Sequence, residues 1–228
     1  MTAQEMEYEW KITYEAIASM AAPGYTSREI SVFLTQAQEE IAIEFAQNID
    51  KDDYSRTVLE KLLTAYSNPV PVENSDIIPS SATNRVYNVP KPATFFHPFI
   101  EFAVTSTGTR SCKPIDYESY YTNISNPWSK PYVDLYWRLY HNGYLMVITD
   151  GTVLTNLKGL YVAKPDPIIT ANISPNTIDG VSAITDMSTA RVLNPIVHRE
   201  IVYRAAKKAF AAQKDQMGYQ IQNNEENS

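Results

Sequence analysis

The chain has few of the residues that build covalent cross-links, metal sites and reactive centres. Its 228 residues include one cysteine, three histidines and seven glycines. The single cysteine, Cys112, has no internal disulfide partner and is predicted to be a small buried hydrophobic residue. Three scattered histidines and one thiol do not make a metal cluster. We therefore predict no metal ion and no cofactor, and this cysteine usage is typical of an intracellular protein.

Sequence signatures of enzymes are also missing. The chain contains no Walker loop, no GxGxxG, GxSxG or HExxH motif and no CxxC pair. His97 lies beside a proline, His141 lies next to a hairpin signal, and His198 lies in the first turn of a predicted helix. A structural or merely exposed histidine explains each of the three positions, so we predict that the protein is not an enzyme and has no catalytic residues.

Long apolar runs do not occur, since no stretch approaches the roughly 18 residues of a membrane span. The first residues also lack the basic, apolar and small-residue pattern of a signal peptide. We expect no membrane association and synthesis in the cytoplasm.

The charge that is present is mostly negative and unevenly distributed. The formal net charge of −7 argues against nucleic-acid binding by the whole surface. Residues 1–67 contain twelve acidic and five basic residues, whereas residues 195–217 contain five basic and two acidic residues. Opposite signs near the two ends favour head-to-tail contacts between copies. Solvated helix faces explain the same pattern.

The clearest helix prediction covers residues 26–48. Thr26 and Glu29 form a capping box, in which each side chain satisfies a backbone donor of the first turn. Apolar residues recur at three- and four-residue steps and form one stripe, while glutamates and glutamines occupy the other side. The stripe consists of Ile30, Phe33, Leu34, Ala37, Ile41 and Phe45.

Two further helices are predicted in the first part of the chain. The first covers residues 2–21, and Pro23 with Gly24 then forces an antiparallel hairpin with the helix over residues 26–48. The next covers residues 51–67, because acidic residues at its start suit the helix dipole. Its predicted apolar side carries Tyr54, Val58, Leu62 and Ala65.

The last predicted helix begins at Asn194 and Pro195, which are favoured at the N-cap and first helical positions, and ends near Gly218. Its alanine-rich side permits close approach of another helix.

The middle of the chain has the composition of extended structure. Residues 68–98 contain six prolines and are predicted to be an irregular arm that links, wraps or binds. Alternating apolar residues then predict antiparallel strands, and the Asn142-Gly143 pair is a strong hairpin signal. Many tyrosines and tryptophans lie in this region, and they are explained equally well by an interface or by cross-strand packing.

Together these patterns predict an α+β fold: a helical bundle of three N-terminal helices plus the C-terminal helix, with an inserted small antiparallel β-sheet. The predicted organisation is an N-terminal helical part (1–67), a proline-rich arm (68–98), an inserted β domain (99–168), a return loop (169–193), a C-terminal helix that packs on the body (194–218) and a flexible tail (219–228).

Residues predicted to bind partners come from three places. The acidic side of the second helix contributes Glu39, Glu40 and Glu44. The aromatic hairpin contributes Tyr136, Tyr140 and Asn142. The basic side of the last helix contributes Arg199, Arg204, Lys207, Lys208 and Lys214.

Several stretches together resemble the head-to-tail connector, or neck ring, proteins of tailed bacteriophages, particularly those of the crAss-like group. These are DYESY at 116–120 with NPWSKP at 126–131 and WRL at 137–139, YVAKPDPII at 161–169, NPIVHREIVYRAAK at 194–207 and APGYTSREISVFLTQAQEEI at 22–41. They consist of structural residues and include no catalytic motif.

The resemblance implies a structural virion protein that forms a homo-oligomeric ring, dodecameric by family habit, beneath the portal. The ring would extend the channel through which DNA leaves, so the implied partners are further copies, the portal protein, other neck or tail proteins and, non-specifically, genomic DNA. The implied location is the head–tail junction of the virion, after assembly in the host cytoplasm. Compact adaptors are smaller and mostly helical, and this chain departs from them by its inserted arm and sheet.

Two other functions fit parts of the same pattern. One is a different virion part, such as a tail-tube protein, a stopper or a second neck ring. The other is a carbohydrate-binding module or small hydrolase that uses the aromatic sheet as a stacking platform. It would need Trp128 or Trp137 beside paired carboxylates, for which Asp116 and Glu118 are the candidates.

Overall fold

The computed structural model describes residues 1–17, 24–68, 72–73, 84–124, 126, 131, 135–141 and 143–226. The chain divides into two compact units. The helical unit consists of Met1–Leu62 and Lys164–Ser228, and the sheet unit consists of Leu63–Ala163. Both ends of the chain therefore belong to one unit, and the other unit lies between them in sequence.

The described residues form five α-helices: α1 (Ala3–Ile17), α2 (Ser27–Ala46), α3 (Asp53–Leu59), α4 (Tyr117–Asn123) and α5 (His198–Glu226). In the helical unit, α1 and α2 both pack against α5. The Tyr14 hydroxyl donates to Oε1 of Gln213 at 2.8 Å, and the Tyr25 hydroxyl donates to the carbonyl of Ala209 at 3.0 Å. The alanines on the inner side of α5 are fully buried, as expected for close helix packing.

The prediction for α2 is confirmed. Both hydrogen bonds of the capping box between Thr26 and Glu29 are present, and the bond from the Thr26 backbone lowers the pKa of the Glu29 carboxyl. Four residues of the predicted stripe are fully buried: Ile30, Leu34, Ala37 and Ile41. Burying one such large aliphatic side chain contributes about 1.5–3 kcal/mol.

The predicted first helix is present as α1, and it buries Met6, Trp10 and Tyr14 at four-residue steps. Trp10 and Tyr14 stack at 4.9 Å between ring centroids. The remainder of this predicted helix, residues 18–21, and the predicted break at Pro23 lie outside the described residues.

The predicted helix over residues 51–67 is wrong in its second half. Its start is as expected, because the Asp52 side chain accepts hydrogen bonds from the backbones of Tyr54 and Ser55. The helix ends at Leu59, a 3₁₀ turn follows at Glu60–Leu62, and the next six residues form a strand. That strand contains threonine and tyrosine, which favour a pleated sheet when a partner strand is available.

The described residues of the sheet unit form eight strands: β1 (Leu63–Asn68), β2 (Val72–Glu73), β3 (Arg85–Pro90), β4 (Phe95–Thr105), β5 (Gly108–Pro114), β6 (Leu135–His141), β7 (Tyr144–Thr149) and β8 (Leu154–Ala163). They form one sheet in the order β1-β8-β4-β5-β6-β7-β3-β2. Strands β5 and β6 are parallel, and the other neighbours are antiparallel. The sheet is therefore mixed, and it is curled.

The predicted fold class, a helical bundle with a small inserted antiparallel sheet, is therefore wrong. The sheet begins at Leu63 and takes in strands on both sides of the proline-rich stretch, so it forms a core of its own rather than an appendage. Part of the predicted irregular arm is strand β3, where Pro90 is the terminal residue. Pro98 lies inside β4 between two register shifts, which is where a strand tolerates proline.

One prediction within this region is confirmed. The hairpin predicted from Asn142-Gly143 joins β6 to β7, and Gly143 has the positive φ of +81° that the turn requires. Asn142 itself lies outside the described residues. A turn at Ser106 and Thr107 connects β4 to β5.

Each face of the sheet has an apolar cluster. The inner cluster contains Tyr87, Val89, Ala103, Tyr136, Leu145, Val147, Leu154 and Leu157. The opposite cluster contains Val86, Tyr120, Trp137, Leu139, Met146 and Ile148, and α4 covers it through Tyr120. Neighbouring residues of β6 and β7 point to opposite faces of the sheet, so each of these strands contributes side chains to both clusters.

Close approach of the neighbouring strands requires glycine at one position of β8. A Cβ atom at Gly159 would lie 2.4 Å from the carbonyl oxygen of Ile100 and 2.9 Å from the ring of Tyr66. Glycine therefore lets the neighbouring strands β1 and β4 approach β8 at this point.

Candidate interaction surfaces

The acidic side of α2 faces basic side chains of the same helical unit. Arg204 Nη1 lies 2.8 Å from Oε2 of Glu44, and Lys208 forms an ion pair with Glu40. Both pairs join α2 to α5. Because each helix advances by one turn between the two pairs, in opposite chain directions, the pairs also show that α2 and α5 are antiparallel.

Glu39 has a different partner. Lys164 lies 3.1 Å from Glu39 and 2.7 Å from Asp179, so it joins α2 to the segment that follows β8. The hydrogen bond to Asp179 raises the pKa of Lys164. The acidic residues predicted to serve a neighbouring copy are thus engaged within one unit.

These ion pairs are partly solvent-exposed, so each contributes only about 0–1 kcal/mol. Arg204 also pairs with Glu200 at 2.6 Å, and the hydrogen bond to Glu200 raises the pKa of the Arg204 guanidinium. The main effect of the two ion pairs between α2 and α5 is to set which turn of α5 lies beside which turn of α2. Arg204, Lys208 and the acidic side of α2 are therefore less available for other partners than the sequence suggests.

Two predicted basic residues lie elsewhere on α5. Arg199 and Lys207 are exposed, and neither forms an ion pair within the described part of the chain. The Lys207 ammonium lies 4.9 Å from the centre of the Tyr203 ring, which is also exposed. The side chain of Lys214 lies outside the described residues.

The aromatic residues predicted to bind partners separate into different environments. Tyr136 is fully buried in the inner cluster of the sheet, so its ring offers no surface to a partner. Tyr140 is 36% exposed, and its ring lies 4.7 Å from the Arg138 guanidinium and 4.8 Å from the Lys91 ammonium. Tyr140 is thus the predicted hairpin residue that the structure leaves accessible among those it describes.

The segment after β8 is held on α2 by a polar row that the sequence analysis missed. Gln38 donates to the carbonyl of Asp166 at 2.9 Å and accepts from the backbone N–H of Leu193 at 3.3 Å. Thr35 and Ser31 accept from the backbones of Ile168 and Thr170, each at 3.1 Å. These three α2 residues are four and three positions apart on the buried side. The sequence signal for this row was the spacing of these polar residues, which lie three and four positions apart among the apolar residues of α2.

Among the described residues of the carbohydrate hypothesis, Trp137 does not offer a stacking platform. Trp137 is 4% exposed and lies under Tyr120 of α4, with 6.2 Å between ring centroids. Asp116 caps α4 by accepting from the backbone of Ser119 at 2.6 Å. Trp128 lies outside the described residues. Stacking on a sugar requires an exposed ring, which Trp137 does not provide.

Two groups with reactive potential are withdrawn from solvent: Cys112 is partly buried and His198 is buried. Burial raises the pKa of the Cys112 thiol to about 12, which keeps it protonated. Burial also lowers the pKa of His198, whose Nε2 lies 3.1 Å from the Leu193 carbonyl. His198 thus donates as a neutral imidazole at the start of α5, in the structural role expected of it.

Within the described ranges, no cluster of three or more histidine, cysteine, aspartate or glutamate side chains is placed to hold a metal ion. The helices that the structure describes include none that is long and apolar enough to cross a membrane.

A profile of the family described as phage tail ring protein 3/4 matches residues 1–221. The chain belongs to this family of phage tail ring proteins. The predicted resemblance to ring proteins of crAss-like phages is therefore confirmed.

Two curated relatives come from the Bacteroides phage crAss001. Ring protein 4/5 is 31% identical over 229 aligned residues, which cover 93% of this chain and 93% of the relative. Ring protein 3 is 25% identical over 197 residues, which cover 80% of this chain and 83% of the relative. The similarity thus extends across both the helical unit and the sheet unit of this family member.

Proposed function

We propose that the protein is a non-catalytic structural component of the virion, and that its copies form a closed ring in the head-to-tail connector below the portal. The ring surrounds the path of the DNA and docks tail components. A dodecamer matches the symmetry that the family resemblance implies. The observation that carries this proposal is membership of a ring-protein family across residues 1–221.

The charge of the chain supports a position beside DNA. A net charge of −7 disfavours adhesion to phosphates, so DNA passes an acidic ring without being retained. The helical unit supports a role as a building block, because both ends of the chain pack into one unit and leave its outer helix faces for neighbours. Different faces of one subunit are what a rotationally closed ring requires.

A second candidate is a tail ring that is not in contact with the portal. The family description names tail rings, and the two relatives carry different ring numbers. This candidate includes a stopper, a tail-tube protein and a second neck ring. It keeps the ring-forming role and changes the partners above and below.

Cryo-electron microscopy of the virion with an epitope tag and bound antibody fragment on this protein separates the two candidates. Density for the label directly below the portal supports the connector position, and density further along the tail supports the second candidate. Incubation of purified protein with purified portal gives an independent measurement. A polypeptide that stays monomeric with the portal and is missing from virions contradicts both.

A further inference from the structure

The outer face of α1 carries an apolar and acidic stripe. Tyr8 is 68% exposed and Ile12 is 51% exposed, one helical turn apart, while the opposite side of the helix is buried. Glu5 and Glu15 flank this pair at the same helical spacing and are also exposed. Glu15 has no ion-pair partner in the part of the chain that the structure describes. We call Glu5, Tyr8, Ile12 and Glu15 the α1 stripe.

The outer face of α5 carries the complementary stripe. Arg199, Tyr203 and Lys207 follow each other at four-residue steps, and Tyr203 is 45% exposed. Ile196, in the turn before the helix, is 59% exposed. The one acid among them, Glu200, is already paired with Arg204. These basic and apolar residues, Ile196, Arg199, Tyr203 and Lys207, are the α5 stripe.

The two stripes do not satisfy each other within one subunit. Helices α1 and α5 contact through their inner sides, where Tyr14 meets Gln213, so the exposed stripes lie on surfaces that point away from that contact. The charged members of the α1 stripe are acidic and those of the α5 stripe are basic. The opposite charges beside them, Lys11 and Glu200, are paired with Glu7 and Arg204 of the same helix. Two such surfaces on one chain complement each other between copies and generate a head-to-tail contact, which is the type of contact from which a ring is built when the rotation between copies closes.

We infer that the α1 stripe of one copy docks on the α5 stripe of the next copy, and that this contact is the ring interface. The inference rests on the proposed ring function and names the surface that performs it. Tyr8, Ile12 and Tyr203 supply the contact area, because aromatic and aliphatic anchors carry most of the energy of an interface. Glu15, Arg199 and Lys207 supply orientation, because charges opposite each other fix the register of docking.

Charge exchange tests this contact. Gln4→Lys/Glu15→Lys places bases at Glu15 of the α1 stripe and at its exposed neighbour Gln4, one helical turn before Tyr8. Glu5 stays in place, because it accepts from the backbone of Thr2 at 2.8 Å and caps the helix. Arg199→Glu/Lys207→Glu makes the α5 stripe acidic. Each double variant should require a roughly tenfold or higher protein concentration for half-assembly, because like charges then face each other. A chain with all four substitutions should assemble at a concentration close to that of the unmodified protein.

Mass photometry and sedimentation velocity over a concentration series measure assembly, and circular dichroism confirms that each variant is folded. Gln36→Lys/Glu60→Lys is the matched control for the variant that makes α1 more basic. Lys113→Glu/Lys158→Glu is the matched control for the variant that makes α5 more acidic. All four control sites are exposed and lie outside the two stripes. Both controls should assemble normally. A 1:1 mixture of the two stripe variants should also assemble, because each supplies the surface that the other needs.

The possible results distinguish a failure of the α1–α5 contact from a failure of the proposed ring function. If both stripe variants assemble like the unmodified chain, or the four-substitution chain assembles no better than they do, the α1–α5 contact is refuted while ring formation stands. If the unmodified chain forms no ring alone or with the portal, the proposed function fails and the contact fails with it.

Discussion

Removing the charge of Glu101 tests how the curled sheet is held together. Glu101 on β4 and Arg138 on β6 form an ion pair across the intervening strand β5, with side-chain exposures of 1% and 7%. The second carboxylate oxygen of Glu101 has no hydrogen-bond partner among the described residues. The carboxylate therefore depends on Arg138 for compensation of its charge. Glu101→Gln leaves a buried guanidinium opposite a neutral amide.

The expected loss of stability follows from this burial. Breaking a buried ion pair by removing one partner costs about 3–5 kcal/mol, because the remaining charge stays desolvated. One kcal/mol lowers the melting temperature by roughly 2–4 °C when a protein of this size unfolds in one transition, so we then expect a decrease of roughly 6–20 °C. The decrease should be about twice as large if the sheet unit unfolds alone. Differential scanning calorimetry is the suitable assay, since it resolves separate transitions if the two units unfold independently. The decrease should appear in the transition of the sheet unit.

Two further variants make the reasoning refutable. Glu118→Gln removes an exposed acid from the same unit and should change stability by less than about 0.5 kcal/mol. Glu101→Leu/Arg138→Met removes both charges and should recover most of the loss, since apolar replacements of buried pairs are often neutral or stabilising. If Glu101→Gln melts within about 1 °C of the unmodified protein, or if the double variant melts no higher than Glu101→Gln, the argument is refuted.

Three other predictions concern single contacts. Because burial lowers the pKa of His198 below its usual value of about 6.5, the unfolded chain binds more protons as pH falls through that value, so the melting temperature should be lower at pH 5.5 than at pH 7.5 and His198→Gln should reduce the difference. Gly159→Ala should destabilise by about 1–3 kcal/mol in urea unfolding, because the new methyl group would meet the carbonyl of Ile100. Gln38→Ala should cost about 1–3 kcal/mol by leaving buried backbone groups unpaired, whereas Gln36→Ala on the exposed side should be neutral by the same assay. Equal effects of Gln38→Ala and Gln36→Ala contradict the role of the polar row.

Local features were the ones that the sequence predicted well. The capping box at Thr26 and Glu29, the buried stripe of α2 and the hairpin at Gly143 each depend on residues within a few positions of one another. Their physical causes, which are capping hydrogen bonds, helical periodicity and positive φ, are visible in a short window.

Non-local pairing explains what the sequence did not predict. Strand β1 pairs with β8, so that Leu63 lies opposite Val162, almost a hundred positions later. Nothing in the neighbourhood of Leu63 shows that such a partner exists, and a continued helix was the local expectation. The prolines of the next stretch suggested irregular chain, although those at strand ends and register shifts are compatible with a sheet.

The charges of α5 show why spacing alone does not identify an interface. Arg204 and Lys208 are four positions apart, as are Arg199 and Tyr203 and then Lys207, so both sets form straight rows on a helix. The first row faces α2 and is paired with Glu44 and Glu40. The second row lies on the side that no described helix covers. Since the two rows have the same local signal, only the packing of α5 in the folded unit decides which charges remain for another copy.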